Sequence, residues 1–277
     1  YMSKHNYLVT FLKKINLSIN TLLKKYLNKL NFNNPQKKIF KFLRGYKVLF
    51  TLIILSFLGA IYLSIPFFFN KSEVQVLLKN QLSKQFDLNF NFSGEYKYNY
   101  YPTPNVTFKD VSILYDDRNI ADIKNLNITF SLKNLYSLKK IKIKSVIFKK
   151  SNFNFYKRDV NFFIKLLNKN FLNTSIKIIN SNIFFKNLDD EVMFINKIKK
   201  INYYYDTKQS INTLYFENEI FNIPYSLQIQ NDVFKKKLYS KLNLNILKLK
   251  IENELDYGNH IRVGIINSVY NKNKSKV

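Results

Sequence analysis

Only two histidines, His5 and His260, are available for acid–base work or metal ligation, and they stand near opposite ends of the chain. A general base must lie within hydrogen-bond reach of its partner, and this pair is not expected to form one site. There is no cysteine, so thiolate nucleophiles, disulfides and thiolate metal sites are excluded, and the redox compartment stays open. The HExxH, GxSxG and GxxxxGKS/T spacings, which set up zinc, serine and phosphate chemistry, are absent. Asp189, Asp190 and Glu191 form one acidic cluster; it either holds a cation or caps a solvated hairpin loop, and the loop is the expected reading. Tyr203, Tyr204 and Tyr205 would stack on bases in a nucleic-acid site, but one strand with a tyrosine on each face explains them more simply. The expectation is a protein that is not an enzyme and holds no metal or cofactor.

Charge is the next feature. The 277 residues carry 45 Lys and Arg against 18 Asp and Glu, a formal charge of +27. Such a balance invites a nucleic-acid reading. Yet only Arg44, Arg118, Arg158 and Arg262 are arginines, and bidentate recognition of bases and phosphates favours arginine. Lys, Asn and Ile are inflated together, which reads as a coding bias. Nucleic acid is not an expected partner.

From Val48 to Phe69 no residue is charged. At about 1.5 Å per residue this stretch reaches roughly 33 Å, enough to cross a hydrocarbon core. A signal peptide would be shorter and would not carry so long an arm in front. A core helix this uniformly apolar is rare. Residues 1–47 hold 11 Lys and Arg and no acid, with Lys37, Lys38, Lys41, Arg44 and Lys47 against the span. The positive-inside bias then places this arm in the cytoplasm and residues 71–277 across the membrane, in a bacterium the periplasm. Within the arm, Leu8, Phe11, Leu12, Ile15, Ile19, Leu22, Leu23, Tyr26, Leu27 and Leu30 recur at helical spacing, with lysines largely off the stripe. This basic amphipathic helix suits an anionic inner leaflet or the surface of a partner protein.

Beyond the span, the spacing predicts a short helix over residues 72–86, capped by Ser72, with Val74, Leu77, Leu78 and Leu82 on one face. The period then changes to two. Phe90 and Phe92 alternate with Asn; Ile128, Phe130 and Leu132 with Asn, Thr and Ser; Ile141 and Ile143 with Lys; Phe153 and Phe155 with Asn; Ile176 and Ile178 follow suit. Val106/Phe108 and Val111/Ile113 read as a further strand after the Pro102–Pro104 turn, and residues 116–119 as a hairpin turn. A helix is expected between Asp159 and Phe171. Leu242, Leu244 and Ile246 are followed by Leu247, Leu249 and Ile251, a phase slip that reads as a bulge or bend. Strands with one apolar and one polar face make an antiparallel sheet with one wet side. Few helices are available to cover the apolar side. The sheet must curl on itself, pair with another sheet in a filled sandwich, or enclose an apolar ligand.

The order of these features resembles the AsmA family of bacterial inner-membrane-anchored proteins. The carrying segments are a basic start, a span ending at Ile65-Pro66, the helix SEVQVLLKNQLSKQF (72–86), the strand and glycine DLNFNFSG (87–94), the turn and strand YYPTPNVTFKDVSIL (101–114), and residues 121–158. The likeness is close over residues 48–158 and looser over 172–256, and full relatives are often longer. A short member or a fragment is therefore expected.

The expected fold class is α+β, mainly β: a single N-terminal transmembrane helix followed by a curved, mostly antiparallel sheet with a few short helices. The resemblance implies a periplasmic groove with an apolar lining. Phe90, Phe92, Ile128, Phe130, Leu132, Ile141, Ile143, Phe153, Phe155, Ile176 and Ile178 are expected to share its face. It also implies phospholipid acyl chains and envelope proteins as partners, and a role in phospholipid transport and outer-membrane assembly, reaching outer-membrane protein targeting indirectly. The alternative is a membrane-anchored scaffold that binds no lipid.

Overall fold

The computed structural model describes residues 17, 21, 47–93, 96–116, 118–159, 174–258 and 263–276. The expected amphipathic arm, apart from Leu17 and Thr21, lies outside them. So do His5, His260, Gly94 and the expected helix after Asp159. Backbone contacts divide the chain into two units, Tyr1–Tyr62 and Leu63–Val277.

Helix α1 runs from Lys47 to Ser64, and Ile65–Phe68 follows as a 3-10 turn with Pro66 in its first positions, where a missing N–H costs nothing. Leu49–Phe68, at a mean hydropathy of 2.2, is long and apolar enough to cross a membrane. Its large side chains, among them Leu52, Leu55, Phe57 and Leu58, are exposed on all sides.

Helix α2 spans Lys71–Phe86. Its cap is Asn70 and not Ser72: the Asn70 side chain accepts a hydrogen bond from the Ser72 N–H at 2.9 Å, and Ser72 is already inside the first turn. Glu73 in the first turn and Lys84 in the last complement the helix dipole. Asp87, left-handed at φ 62°, ends the helix. Val74, Leu78, Leu82 and Phe86, four residues apart, form the buried stripe.

Among the described residues thirteen strands make one open, curled sheet. They are β1 (Asn89–Phe92), β2 (Tyr96–Asn99), β3 (Asn105–Tyr115), β4 (Arg118–Phe130), β5 (Ile143–Tyr156), β6 (Ser175–Lys186), β7 (Val192–Asp206), β8 (Ile211–Ile220), β9 (Ile223–Asp232), β10 (Lys237–Leu244), β11 (Leu249–Asp256), β12 (Val263–Tyr270) and β13 (Asn273–Lys276). From β3 to β13 spatial order follows sequence order; β1 and β2 share the outer edge of β3 end to end. Every pairing among the described strands is antiparallel except β5 with β6, which is parallel. The expected slip near Leu247 is a chain reversal and not a bulge: residues 245–248 are the turn between β10 and β11, closed by Lys248 N–H to Asn245 O at 3.1 Å.

A crease crosses the sheet at right angles to its strands. In neighbouring strands two residues in succession face away from the core: Lys109–Asp110, Lys124–Asn125, Lys149–Lys150, Ile179–Asn180 and Lys199–Lys200. Asp110, Lys150 and Asn180 take left-handed φ of 51°, 54° and 49°. The ladder continues through them, and at β7/β8 the shift is absorbed between Ile198 and Lys200. Each strand therefore reverses its in–out phase at the crease and keeps its apolar residues on one face.

Candidate functional site

The face that faces α2 carries a continuous apolar row. Phe108, Leu126, Phe148, Ile178, Ile201, Phe216, Leu227, Leu242 and Ile251 are successive ladder partners from β3 to β11. At about 4.8 Å per strand the row is roughly 38 Å long. Val106, Ile128, Val146, Ile176, Tyr203, Leu214 and Ile229 form a second row beside it. Nearer the far strand ends an aromatic row follows: Phe155–Phe185 at 5.1 Å between ring centroids, Phe185–Phe194 stacked at 4.2 Å and Phe194–Phe221 at 6.0 Å.

The two ends of this face differ in cover. At β1, α2 packs directly on the sheet, and its Val74, Leu77 and Leu78 lie beside Phe130 at the end of β4 and Ile141 just before β5. Phe86 meets Phe90 at 6.0 Å, Gln75 donates to Phe92 O at 3.1 Å, and Gln81 donates to Ile141 O at 3.2 Å. The largest fully buried side chains, from Leu78 to Val146, all belong to this end. From β6 onward Ile198, Ile201, Tyr203 and Leu214 are still buried, but Ile176, Ile178, Ile183, Phe216, Leu227, Leu242 and Ile251 are only half-buried. Among the described residues no helix lies over them.

Ten of the eleven expected lining residues are drawn to this face or its core; one is not. Leu132 lies beyond the end of β4 and is 56% exposed, because the strand stops at Phe130, whose N–H bonds Pro104 O, and the chain turns. Ile141 precedes β5 but is buried beside Val74, Leu78 and Phe130. Phe90, Ile128, Phe130, Ile141 and Ile143 are core residues under α2 and line no open groove. Phe153, Phe155, Ile176 and Ile178 belong to the half-exposed part. Sequence reasoning missed Phe216, Leu227, Ile229, Leu242 and Ile251 as lining residues. Their signal, alternation in register with Ile178 and Ile201, needs the strand pairing to be seen.

Polar side chains interrupt the bare face. The amides of Asn196 and Asn218 both donate to the Tyr225 hydroxyl, at 2.9 and 3.4 Å. The Ser181 hydroxyl accepts from Ser151 N–H at 3.0 Å. Tyr203 donates to Asn212 Oδ1 at 3.1 Å, and burial pushes its phenol up to about 12. These bonds satisfy the polar groups only in part: among the described residues Asn196 Oδ1, Asn218 Oδ1 and Asn212 Nδ2 stay buried without a partner, which costs free energy. The Asp189–Glu191 cluster lies in the β6–β7 loop, where Asn187 Oδ1 accepts from the Asp189 and Glu191 N–H groups, both at 2.9 Å.

No protein-family profile matches the chain, and no curated protein is significantly similar to it.

Proposed function

We propose that this is a membrane-anchored lipid-handling protein of the AsmA type, whose uncovered sheet face takes phospholipid acyl chains. One observation carries the reading: the apolar row that is buried over β3–β5 runs on to β11, where Ile178, Phe216, Leu227, Leu242 and Ile251 are half-buried and Ile201 alone is buried. Apolar surface of this extent is costly in water and suits hydrocarbon chains. The apolar helix α1 would hold the chain in the inner membrane, with the basic arm cytoplasmic and the sheet periplasmic. Phospholipid supply to the envelope, and through it outer-membrane assembly, is the role that follows.

The test is site-specific photocrosslinking of the full chain in cells. A photoreactive side chain at Leu227 or Ile251 is expected to capture phospholipid; the same group at Gln228 or Lys250, on the opposite face, is not. Equal capture on both faces, or none at Leu227 and Ile251, would overturn the reading and leave a scaffold that binds no lipid. Orientation is tested separately: a reporter active only in the periplasm is expected to be active at Lys276 and silent before Arg44.

A further inference from the structure

At the far strand ends, three cations surround one ring. The Tyr156 ring, near the end of β5, has Arg158 at 4.9 Å, Arg118 at 5.6 Å and Lys186 at 5.8 Å from its centroid. Lys186 is the ladder partner of Tyr156, and Arg118 opens β4. Two of the four arginines in a lysine-dominated chain are therefore gathered at one point.

Two carboxylates answer them incompletely. Asp159, with 5% of its side chain exposed, holds Arg118 Nη2 at 3.0 Å. The Asp190 carboxylate beside Tyr156 raises its phenol above the usual range. Among the described residues Arg118 Nη1 is buried without a partner, as is Asp159 Oδ2. Among the described residues no carboxylate within 4 Å pairs with Arg158 or Lys186. Like charges this close repel unless an anion joins them. Cation–π attraction to Tyr156 offsets part of that repulsion and leaves the donors themselves unused. A planar guanidinium beside a lysine is the donor set that phosphate oxygens take well.

We propose that Arg118, Arg158 and Lys186 form a rim site for a phosphate group. Its source on the reading above is the headgroup of a lipid; free phosphate offers the same chemistry. The geometry favours the lipid. Phe155 and Phe185 immediately precede Tyr156 and Lys186 and begin the aromatic row on the other face. A ligand lying over the strand ends meets cations on one side and rings on the other. Only the choice of source rests on the acyl-chain reading.

The test compares the full chain in neutral detergent with its R158Q/K186Q variant. Arg118 is left alone because its loss would strand the buried Asp159. Native mass spectrometry is run with phosphatidylglycerol and with diacylglycerol of the same acyl chains. The wild type is expected to retain phosphatidylglycerol about five-fold or more better. The variant should lose that preference and keep its diacylglycerol binding, while R158K/K186R, which keeps the charges, restores it. An unchanged preference in R158Q/K186Q overturns the site. In a second arm, millimolar inorganic phosphate should raise the thermal midpoint of the wild type and not of R158Q/K186Q. If the wild type binds neither lipid, the acyl-chain reading falls and this arm decides alone: a variant-sensitive shift upholds a phosphate site, and no shift overturns it.

Discussion

Phe108 and Leu227 belong to the same ladder row on the same face of one sheet, yet Phe108 is fully buried and Leu227 is half-buried. The strands beneath them do not explain the contrast, since both are antiparallel and alternate apolar with polar residues. Cover explains it. Val74, Leu78, Leu82 and Phe86 of α2 are buried at the β1–β5 end, against β1, Phe130 and Ile141. Full burial of one such side chain is worth about 1.5–3 kcal/mol. Stability is therefore concentrated where the helix lies, and the uncovered strands keep a surface for another molecule.

The largest expected effect breaks the covered end. Ile128→Asp or Leu78→Asp places an unpaired charge at a site with no exposure and should cost about 3–5 kcal/mol, read as a collapse of the urea midpoint or of the protein level. Cells in which either variant accumulates normally would show that this end is not a filled core.

Truncation gives a finer contrast between the ends. Leu82→Ala should cost about 2–5 kcal/mol through the cavity it leaves. Leu227→Ala should cost less than about 1 kcal/mol, because its surroundings are half open. Equal losses in denaturant titrations would erase the distinction.

The boundary between the ends is open to pH. Tyr203, in β7, has its phenol raised to about 12 by burial. The folded state thus favours the neutral form. Its contribution is whole below the ordinary phenol range and should fall as pH rises from about 10 to about 12. Tyr203→Phe should flatten that alkaline decline in thermal melts, at the expense of the Asn212 bond.

The smallest effect concerns the crease, which runs through both ends. Lys150→Gly relieves a left-handed backbone at φ 54° and should stabilise by about 0.5 kcal/mol or less, the relief being offset by the freedom glycine gains when unfolded. A loss above about 1 kcal/mol in the same titration would mean that the Lys150 side chain, and not its backbone, holds the crease.

Period-two reading found most of the strands and placed most of the apolar face, but for partly fortuitous reasons. In β5 it aligned Ile143 with Phe153, which is correct, and would have turned Val146 and Phe148 outward, which is not. The irregularity opposite Thr129/Phe130 shifts the phase once and the crease at Lys149–Lys150 shifts it again, so all four face the core. Such shifts are legible at most as neighbouring doublets, polar in all strands of the crease but β6, whose significance appears once the strands are aligned. Leu132 failed because alternation does not say where a strand ends. Cover was also beyond periodicity: the helical stripe at Val74–Phe86 was plain, but nothing in its spacing says which strands it reaches. The rim around Tyr156 gathers Arg118, Arg158 and Lys186 from well-separated positions, so it has no local signature at all.

The order β3 to β13 also has a consequence for how such a protein varies. After the single parallel step, each strand from β6 onward pairs only with its chain neighbours. Energetically this is a one-dimensional array, in which each added unit brings its own local terms and one new interface. Inserting or deleting a hairpin there leaves strand direction and facing unchanged and alters the reach of the surface by about 10 Å. Length is thus a quantity that mutation can adjust in steps without redesigning the core under α2.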